Sequence, residues 1–192
     1  MAKTRRCWLL KSEPGVFSFD DLWKSNNRTT FWDGVRNYQA RNLLRAELRS
    51  GDEILFYHSS CDPPGVAGIA RVMRAAVPDP TQFDPRDPHF DPESSREAPR
   101  WYGIEVQALR KLPRFVSLEQ LRGEPRLAGM GVLRPGNRLS VQPVSSSEWK
   151  VVMSLGGVSC GGAAAGWFPG WRIRRSAVSG FRTRICVVRP GS

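Results

Sequence analysis

Histidine, paired cysteines and long apolar runs are scarce in this sequence, and each scarcity excludes a class of function. Only two histidines, His58 and His89, occur among the 192 residues, and no G-x-S-x-G, H-E-x-x-H or P-loop pattern is present. Nucleophilic catalysis needs a nucleophile beside a base and an orienting group, and that base is most often histidine. We therefore predict no catalytic residues and a chain that is not an enzyme.

The sequence also lacks the spacings that hold metal ions. The four cysteines show no C-x-x-C pair and no nearby histidine, which favours free thiols in a reducing compartment. Carboxylates cluster in residues 78–99, but six prolines separate them, a pattern more typical of a rigid solvated loop than of a calcium site. We expect no metal and no cofactor. The cysteines are Cys7, Cys61, Cys160 and Cys186.

No apolar run is long enough to cross a bilayer or to serve as the core of a signal peptide. The longest are tetrapeptides such as residues 54–57, whereas a spanning helix needs about 20 apolar residues. We therefore expect no membrane partner. A cytoplasmic location follows by default, with a nucleoid association in a bacterium or a nuclear location in a eukaryote.

Acidic residues are absent beyond residue 155, although the chain as a whole carries a net charge of +11. A basic chain suits a polyanionic partner but does not prove one. The segment 156–192 is rich in glycine and arginine, and we predict a poorly ordered extension there. An alternative is a nucleic-acid arm, because its arginines alternate with aromatic residues that can stack on bases.

The pattern of apolar residues predicts one domain of the α+β class, a β-barrel of about five to six mixed strands flanked by short helices. Strands are predicted at 7–11, 53–58, 66–76, 101–112 and 137–143, and residues 24–30 are predicted to form a polar loop. Helices are predicted from Ser18, from Asn37 to about residue 48, over 116–122 and over 148–155, the first and last opened by capping boxes. Gly68, inside a strand, indicates a close approach of another group.

What the sequence does contain is a concentration of aromatic and amide-bearing residues. They lie in residues 32–42 and again at 57–58 and 101–102. A protein that reads an extruded base needs an aromatic face for stacking and hydrogen-bonding groups aimed at the base edge. Asn37, Gln39 and Ser12 offer such groups, although each also has an ordinary structural explanation, such as a helix cap for Asn37.

Several segments occur in a characteristic order. They are Trp8-Leu9-Leu10-Lys11-Ser12-Glu13-Pro14, Trp32-Asp33-Gly34-Val35-Arg36-Asn37-Tyr38-Gln39-Ala40-Arg41-Asn42, Phe56-Tyr57-His58-Ser59, Pro78-Asp79-Pro80-Thr81-Gln82-Phe83-Asp84 and Arg138-Leu139-Ser140-Val141-Gln142-Pro143. Taken together, these segments resemble the EVE domain family. The resemblance covers about residues 7–155, which we take as the EVE domain, and leaves the segment 156–192 without a counterpart.

The resemblance implies a PUA-like fold, related to that of the YTH domains, and the binding of a modified DNA base in a pocket. The base class is methylated or hydroxymethylated cytosine, with DNA favoured over RNA, and a monomer is expected. Carried onto this chain, the base-binding pocket would comprise Ser12, Glu13, Trp32, Asn37, Tyr38, Gln39, Tyr57, His58, Ser59, Ser140 and Gln142. Lys11, Arg36 and Arg41 would contact phosphates.

Two other functions stay open at this point. The first is an enzyme or enzyme accessory that acts on a modified nucleotide, for which His58 and Glu13 are the acid–base pair. The second is a pocket for a small nucleotide-like ligand. If Trp32 stacks on the base as the resemblance implies, Trp32→Ala abolishes modified-base binding and leaves the fold largely intact.

Overall fold

The computed structural model describes residues 6–158, which form six strands and four short α-helices. The strands are β1 (Cys7–Ser12), β2 (Thr29–Trp32), β3 (Glu53–His58), β4 (Gly65–Pro78), β5 (Tyr102–Ser117) and β6 (Val141–Val144). The helices are α1 (Phe19–Lys24), α2 (Tyr38–Asn42), α3 (Leu118–Arg122) and α4 (Ser146–Leu155), and α2 continues into a single π-helical turn, Leu43–Glu47. The segment predicted as a poorly ordered extension lies outside the described residues from 159 onward.

All six strands belong to one mixed sheet with the order β2-β5-β4-β3-β1-β6. Strands β1 and β3 are parallel, and every other pairing is antiparallel. The α+β class and the strand number are therefore confirmed. Within residues 6–158 the sheet is not closed into a barrel, because β2 and β6 are its two edges and do not pair with each other.

The sheet is covered on both faces, which explains why its central strands are apolar almost throughout. On one face Trp8, Leu10, Ile54 and Phe56 pack against α1, α2 and the π-helical turn. On the other face the alternate residues of the same strands pack against α3 and α4. We refer to these as the α1–α2 face and the α3–α4 face. No helix among residues 6–158 has the length and apolar character needed to traverse a bilayer.

Local signals in the sequence account for where the helices begin. Ser18 and Ser145 close the predicted capping boxes with Asp21 and Glu148, and Asn37 caps α2 through its side-chain oxygen. Each cap satisfies backbone N–H groups that have no partner inside the helix.

Gly68 lies where β4 passes beneath α1. A Cβ atom at this position would come within 2.3 Å of the Phe19 ring, which confirms the close approach that a glycine inside a strand predicts. The packing brings α1 down onto the sheet beside the end of β3, and that end holds several of the predicted site residues.

Candidate nucleic-acid interface

The carboxyl ends of the parallel strands β1 and β3 lie side by side, with Ser12 opposite His58. Ser12 is fully buried and its hydroxyl donates to the carbonyl of Phe17 at 2.6 Å. Its own carbonyl accepts from the backbone N–H of Ser59 at 2.8 Å. The structure therefore joins Ser12, His58 and Ser59 at one end of the sheet, as predicted, but the Ser12 hydroxyl already fixes the turn that leads to α1.

His58 is half-buried and holds the start of α1 in place. Its Nε2 accepts from the backbone N–H of Phe19 at 3.0 Å, so Nδ1 carries the proton in the neutral ring. Burial lowers the pKa of His58, against the opposing effect of Asp20 and Asp21. The neutral ring therefore keeps one hydrogen-bond donor, Nδ1–H, that can serve a ligand.

Glu13 has a separate partner, because its Oε1 accepts from the Ser60 hydroxyl at 3.1 Å. No hydrogen bond among the described residues joins Glu13 to His58. In this structure each of the two side chains is therefore held by a different partner.

We predict that acid weakens the fold through His58. In the unfolded chain the imidazole takes up a proton near its ordinary pKa of 6.5, whereas in the folded chain the pKa is lower. The unfolded state then binds more protons below pH 6.5, and stability is lost as the pH falls toward the folded pKa. Thermal unfolding between pH 7.5 and 5.5 should show this loss in the wild type and less of it in His58→Gln, which keeps an acceptor for Phe19. An equal change of melting temperature with pH in the two proteins would contradict the prediction.

Trp32 lies at the end of the edge strand β2 and is fully buried. Its ring packs edge-on against Phe56, with ring centroids 5.5 Å apart, inside the apolar cluster of the α1–α2 face. Its Nε1 has no hydrogen-bond partner among the described residues. A base could therefore stack on this indole only after the residues that cover it had moved. The burial of Trp32 is that of a core residue. Packing alone does not account for its buried N–H, which has no hydrogen-bond acceptor among the described residues.

Tyr57 and Gln142 project to the opposite face of the sheet from Trp32. Tyr57 belongs to the cluster on the α3–α4 face, and burial raises its pKa to about 12. Gln142 pairs with Leu9, which belongs to the same cluster, so its side chain points the same way. Its Oε1 is buried without a hydrogen-bond partner among the described residues. The sheet therefore separates these two residues from Ser12 and Trp32, which argues against one pocket that contains all four.

Lys11 and Ser140 join β1 to the segment before β6. The backbone N–H of Lys11 donates to the Ser140 carbonyl at 2.8 Å, and Lys11 Nζ donates to the Asn137 carbonyl at 2.9 Å. Burial lowers the pKa of Lys11. Because the Asn137 carbonyl is a neutral acceptor, the ammonium keeps its charge available for a phosphate.

The guanidinium of Arg36 forms its hydrogen bonds within the protein. Its guanidinium pairs with the fully buried Asp79 at 2.8 Å and donates to the Thr81 hydroxyl at 2.8 Å and to the carbonyls of His89 and Val35. These bonds occupy every nitrogen of the fork and tie the loop 78–99 to the segment after β2. This arrangement argues against the predicted phosphate contact for Arg36.

The start of α2 is the most exposed part of the predicted site. Asn37, Tyr38 and Gln39 are all solvent-exposed, and the Tyr38 ring stacks on Trp101 with centroids 5.0 Å apart. Arg41 follows one turn later, and its guanidinium donates to Asn42 Oδ1 and the Arg100 carbonyl. Both acceptors are neutral, so Arg41 keeps the charge that a phosphate contact needs.

Three residues outside the predicted set of site residues contribute to this surface. Asp79 anchors Arg36, Trp101 supports Tyr38, and Arg45 lies over the Tyr102 ring at 5.1 Å. The helical spacing of Arg41 and Arg45 was the available signal for the last of them. Among residues 6–158, no three histidine, cysteine or carboxylate side chains lie close enough to hold a metal ion.

Comparison with known proteins gives consistent matches over the described part of the chain. The family model for the EVE domain matches residues 6–155. Thymocyte nuclear protein 1 of Homo sapiens is 45% identical over 166 residues, covering 77% of this chain and 72% of that protein. The crystal structure of human THYN1 protein in complex with 5-methylcytosine-containing DNA is 44% identical, with a TM-score of 0.72, and covers 79% of this chain and 97% of that one. A hypothetical protein from Leishmania major is 41% identical, with a TM-score of 0.75, over 82% of this chain and 98% of that one.

Proposed function

The chain belongs to the EVE domain family, and we propose that it is a binding module that takes a modified base of a nucleic acid into a pocket rather than an enzyme. The base class is methylated or hydroxymethylated cytosine, and DNA is the favoured partner over RNA. Residues 7–155 form the binding domain in this proposal, acting as a monomer.

One observation carries the proposal: the likeness to human THYN1 protein, whose structure was solved with 5-methylcytosine-containing DNA. The likeness holds at 44% identity and extends over 97% of that chain. The EVE family model matches residues 6–155, a range that includes α2 and the paired ends of β1 and β3.

One unpaired donor of the candidate site, the indole N–H of Trp32, suits a cytosine edge. The buried Trp32 Nε1–H has no partner among the described residues, and such a group costs roughly 1–3 kcal/mol while it stays unsatisfied. The O2 or N3 atom of a cytosine would accept from it, and the Glu13 carboxylate would accept from the exocyclic amine. We therefore propose that Trp32 acts as a donor to the base edge. Reaching it requires a displacement of the residues that cover the indole.

The cellular location follows from the partner. Thymocyte nuclear protein 1 is nuclear by name. For this chain we propose action where DNA lies, in the nucleus of a eukaryotic cell or the nucleoid of a bacterial one, which narrows the cytoplasmic default.

Binding of matched oligonucleotides tests the function. We would measure fluorescence anisotropy of the full chain with duplexes that carry cytosine, 5-methylcytosine or 5-hydroxymethylcytosine at one position, and with an RNA that carries 5-methylcytosine, each at two salt concentrations. A buried methyl group contributes about 0.8 kcal/mol, so the methylated duplex should bind about fourfold more tightly than the unmodified one. Salt should weaken both and leave their ratio unchanged.

A pair of carboxylate variants locates the site. Glu13→Gln should weaken binding of all three duplexes, because each of the three bases carries the exocyclic amine, whereas Glu119→Gln, an exposed acid on α3, should leave binding unchanged. Equal affinity of the wild type for all three duplexes at both salt concentrations would refute the proposed function.

A further inference from the structure

An exposed aromatic and basic surface extends from α2 beyond the predicted pocket. Tyr38, Arg41 and Arg45 follow one another at helical spacing along α2 and the π-helical turn, while Ala40 and Leu44 of the same segment are buried. Arg41 lies over the Tyr38 ring and Arg45 over the Tyr102 ring, at 4.8 Å and 5.1 Å. We call this set, Tyr38, Arg41, Arg45 and Tyr102, the α2 surface.

The Tyr38 ring presents one free face to solvent. Its centroid is 5.0 Å from that of Trp101 and 4.8 Å from Arg41 Cζ, and Arg41 Cζ is 5.9 Å from the Trp101 centroid. If Arg41 lay directly opposite Trp101 across the Tyr38 ring, the distance from Arg41 Cζ to the Trp101 centroid would be close to the sum of the other two distances. The observed distance is much shorter than that sum. Arg41 is therefore not directly opposite Trp101 across the Tyr38 ring, which agrees with the 51% exposure of Tyr38.

The ring is also held in a fixed orientation. Trp101 supports it from below and itself donates from Nε1 to Asp91 at 2.6 Å. Arg100 donates to the Tyr38 hydroxyl at 2.5 Å while it pairs with Asp91 and Glu93. An aromatic ring that is immobilised before binding loses little conformational entropy when a ligand stacks on it.

The charge beside the ring is positive and not neutralised by acidic side chains. Neither Arg41 nor Arg45 forms an ion pair with any carboxylate of residues 6–158, since Arg41 contacts neutral oxygens and rings and Arg45 contacts the Tyr102 ring. Two free guanidinium charges along an exposed aromatic ring match a polyanion that carries flat heterocycles.

We propose that the α2 surface is a second nucleic-acid contact, in which the free face of Tyr38 stacks on a base next to the modified one and Arg41 and Arg45 hold the adjoining phosphates. This inference rests on the proposed function only in that the chain binds nucleic acid. It assigns Tyr38 a contact that is independent of the modification, outside the pocket in which the sequence placed it.

Substitutions of Tyr38 test the stacking. Binding of the full chain would be measured with single-stranded oligonucleotides of one sequence that carry either cytosine or 5-methylcytosine. Tyr38→Ala should weaken binding about tenfold for both oligonucleotides and leave their affinity ratio as in the wild type. Tyr38→Phe, the matched control, keeps the ring and should bind about as tightly as the wild type. Thermal unfolding of each variant checks that it is folded.

A scan of abasic sites through the same oligonucleotide locates the stacked base. At one position beside the modified cytosine, removal of the base should weaken binding to the wild type but not to Tyr38→Ala, because the partner ring is already absent. Arg45→Gln should lower the slope of log affinity against log salt by about one, whereas Arg122→Gln on α3 should have a smaller effect.

The outcomes separate this inference from the proposed function. Unaltered binding by Tyr38→Ala overturns the stacking contact, and so does a loss confined to the methylated oligonucleotide, which would return Tyr38 to the pocket. If the wild type shows no preference for 5-methylcytosine, the proposed function fails, yet an equal loss for both oligonucleotides in Tyr38→Ala still supports the α2 surface.

Discussion

Replacing Trp32 with alanine is expected to lower the free energy of unfolding by about 3–5 kcal/mol, because a large and fully buried ring is removed from the core. The cavity would open between Phe56 and the other apolar residues of the α1–α2 face. Equilibrium unfolding in urea measures the effect. We expect a lower midpoint and an unchanged dependence of the unfolding free energy on urea concentration. This reverses the expectation from the sequence, in which the alanine variant lost binding and kept its fold.

The phenylalanine variant separates packing from recognition at the same position. Trp32→Phe keeps an aromatic ring in the core and removes only the unpaired N–H together with part of the ring system, so its loss of stability should be smaller. If Nε1 donates to the base edge, this variant stays folded and binds the cytosine and 5-methylcytosine duplexes more weakly, because both bases carry O2 and N3. A folded Trp32→Phe that keeps the full affinity for both duplexes would show that the indole only packs.

Most of the fold follows from local signals, and the one strand that was missed shows their limit. Short apolar runs, helical spacing and capping residues located β1, β3 and all four helices to within a few residues. Residues 24–30 were predicted as a polar loop, yet β2 begins at Thr29. This strand has only four residues and pairs on one side alone, with β5, so it depends on a partner about 75 residues away.

The site was predicted as a list of residues, and strand geometry divides that list. Tyr57 and His58 are adjacent in sequence, and successive side chains of a strand point to opposite faces, so only one of them can face a given pocket. That rule was available from the sequence. The separation of Gln142 from Trp32 was not, because it depends on the pairing of β6 with β1, which local patterns do not specify.

The role of Arg36 depends mainly on contacts that are distant in sequence. As part of a motif beside exposed polar residues it resembled a phosphate ligand. Its partners Asp79, Thr81 and His89 lie in the proline-rich loop more than 40 residues away. A charged residue in a motif can therefore serve the shape of a site without contacting the ligand, and only the tertiary structure distinguishes the two roles.

Breaking the Arg36–Asp79 pair should be as damaging as the loss of Trp32. Asp79 is fully buried and the side chain of Arg36 is 18% exposed, so removal of either one leaves an uncompensated charge away from water. Arg36→Ala and Asp79→Ala are each expected to lower the free energy of unfolding by about 3–5 kcal/mol. Asp79 also accepts from the Thr81 and Gly34 backbone N–H groups, so Asp79→Ala disturbs the loop and the turn after β2 together.

The double variant is the test of the mechanism. If the damage comes from the charge left behind, Arg36→Ala combined with Asp79→Ala should lose clearly less stability than the sum of the two single variants. Arg86→Ala, which breaks the exposed Arg86–Asp84 pair of the same loop, is the matched control and should leave the unfolding midpoint nearly unchanged. Additive losses in the double variant would mean that the two residues act separately, and that the pair is not what anchors residues 78–99 beneath Trp101 and the exposed ring of Tyr38.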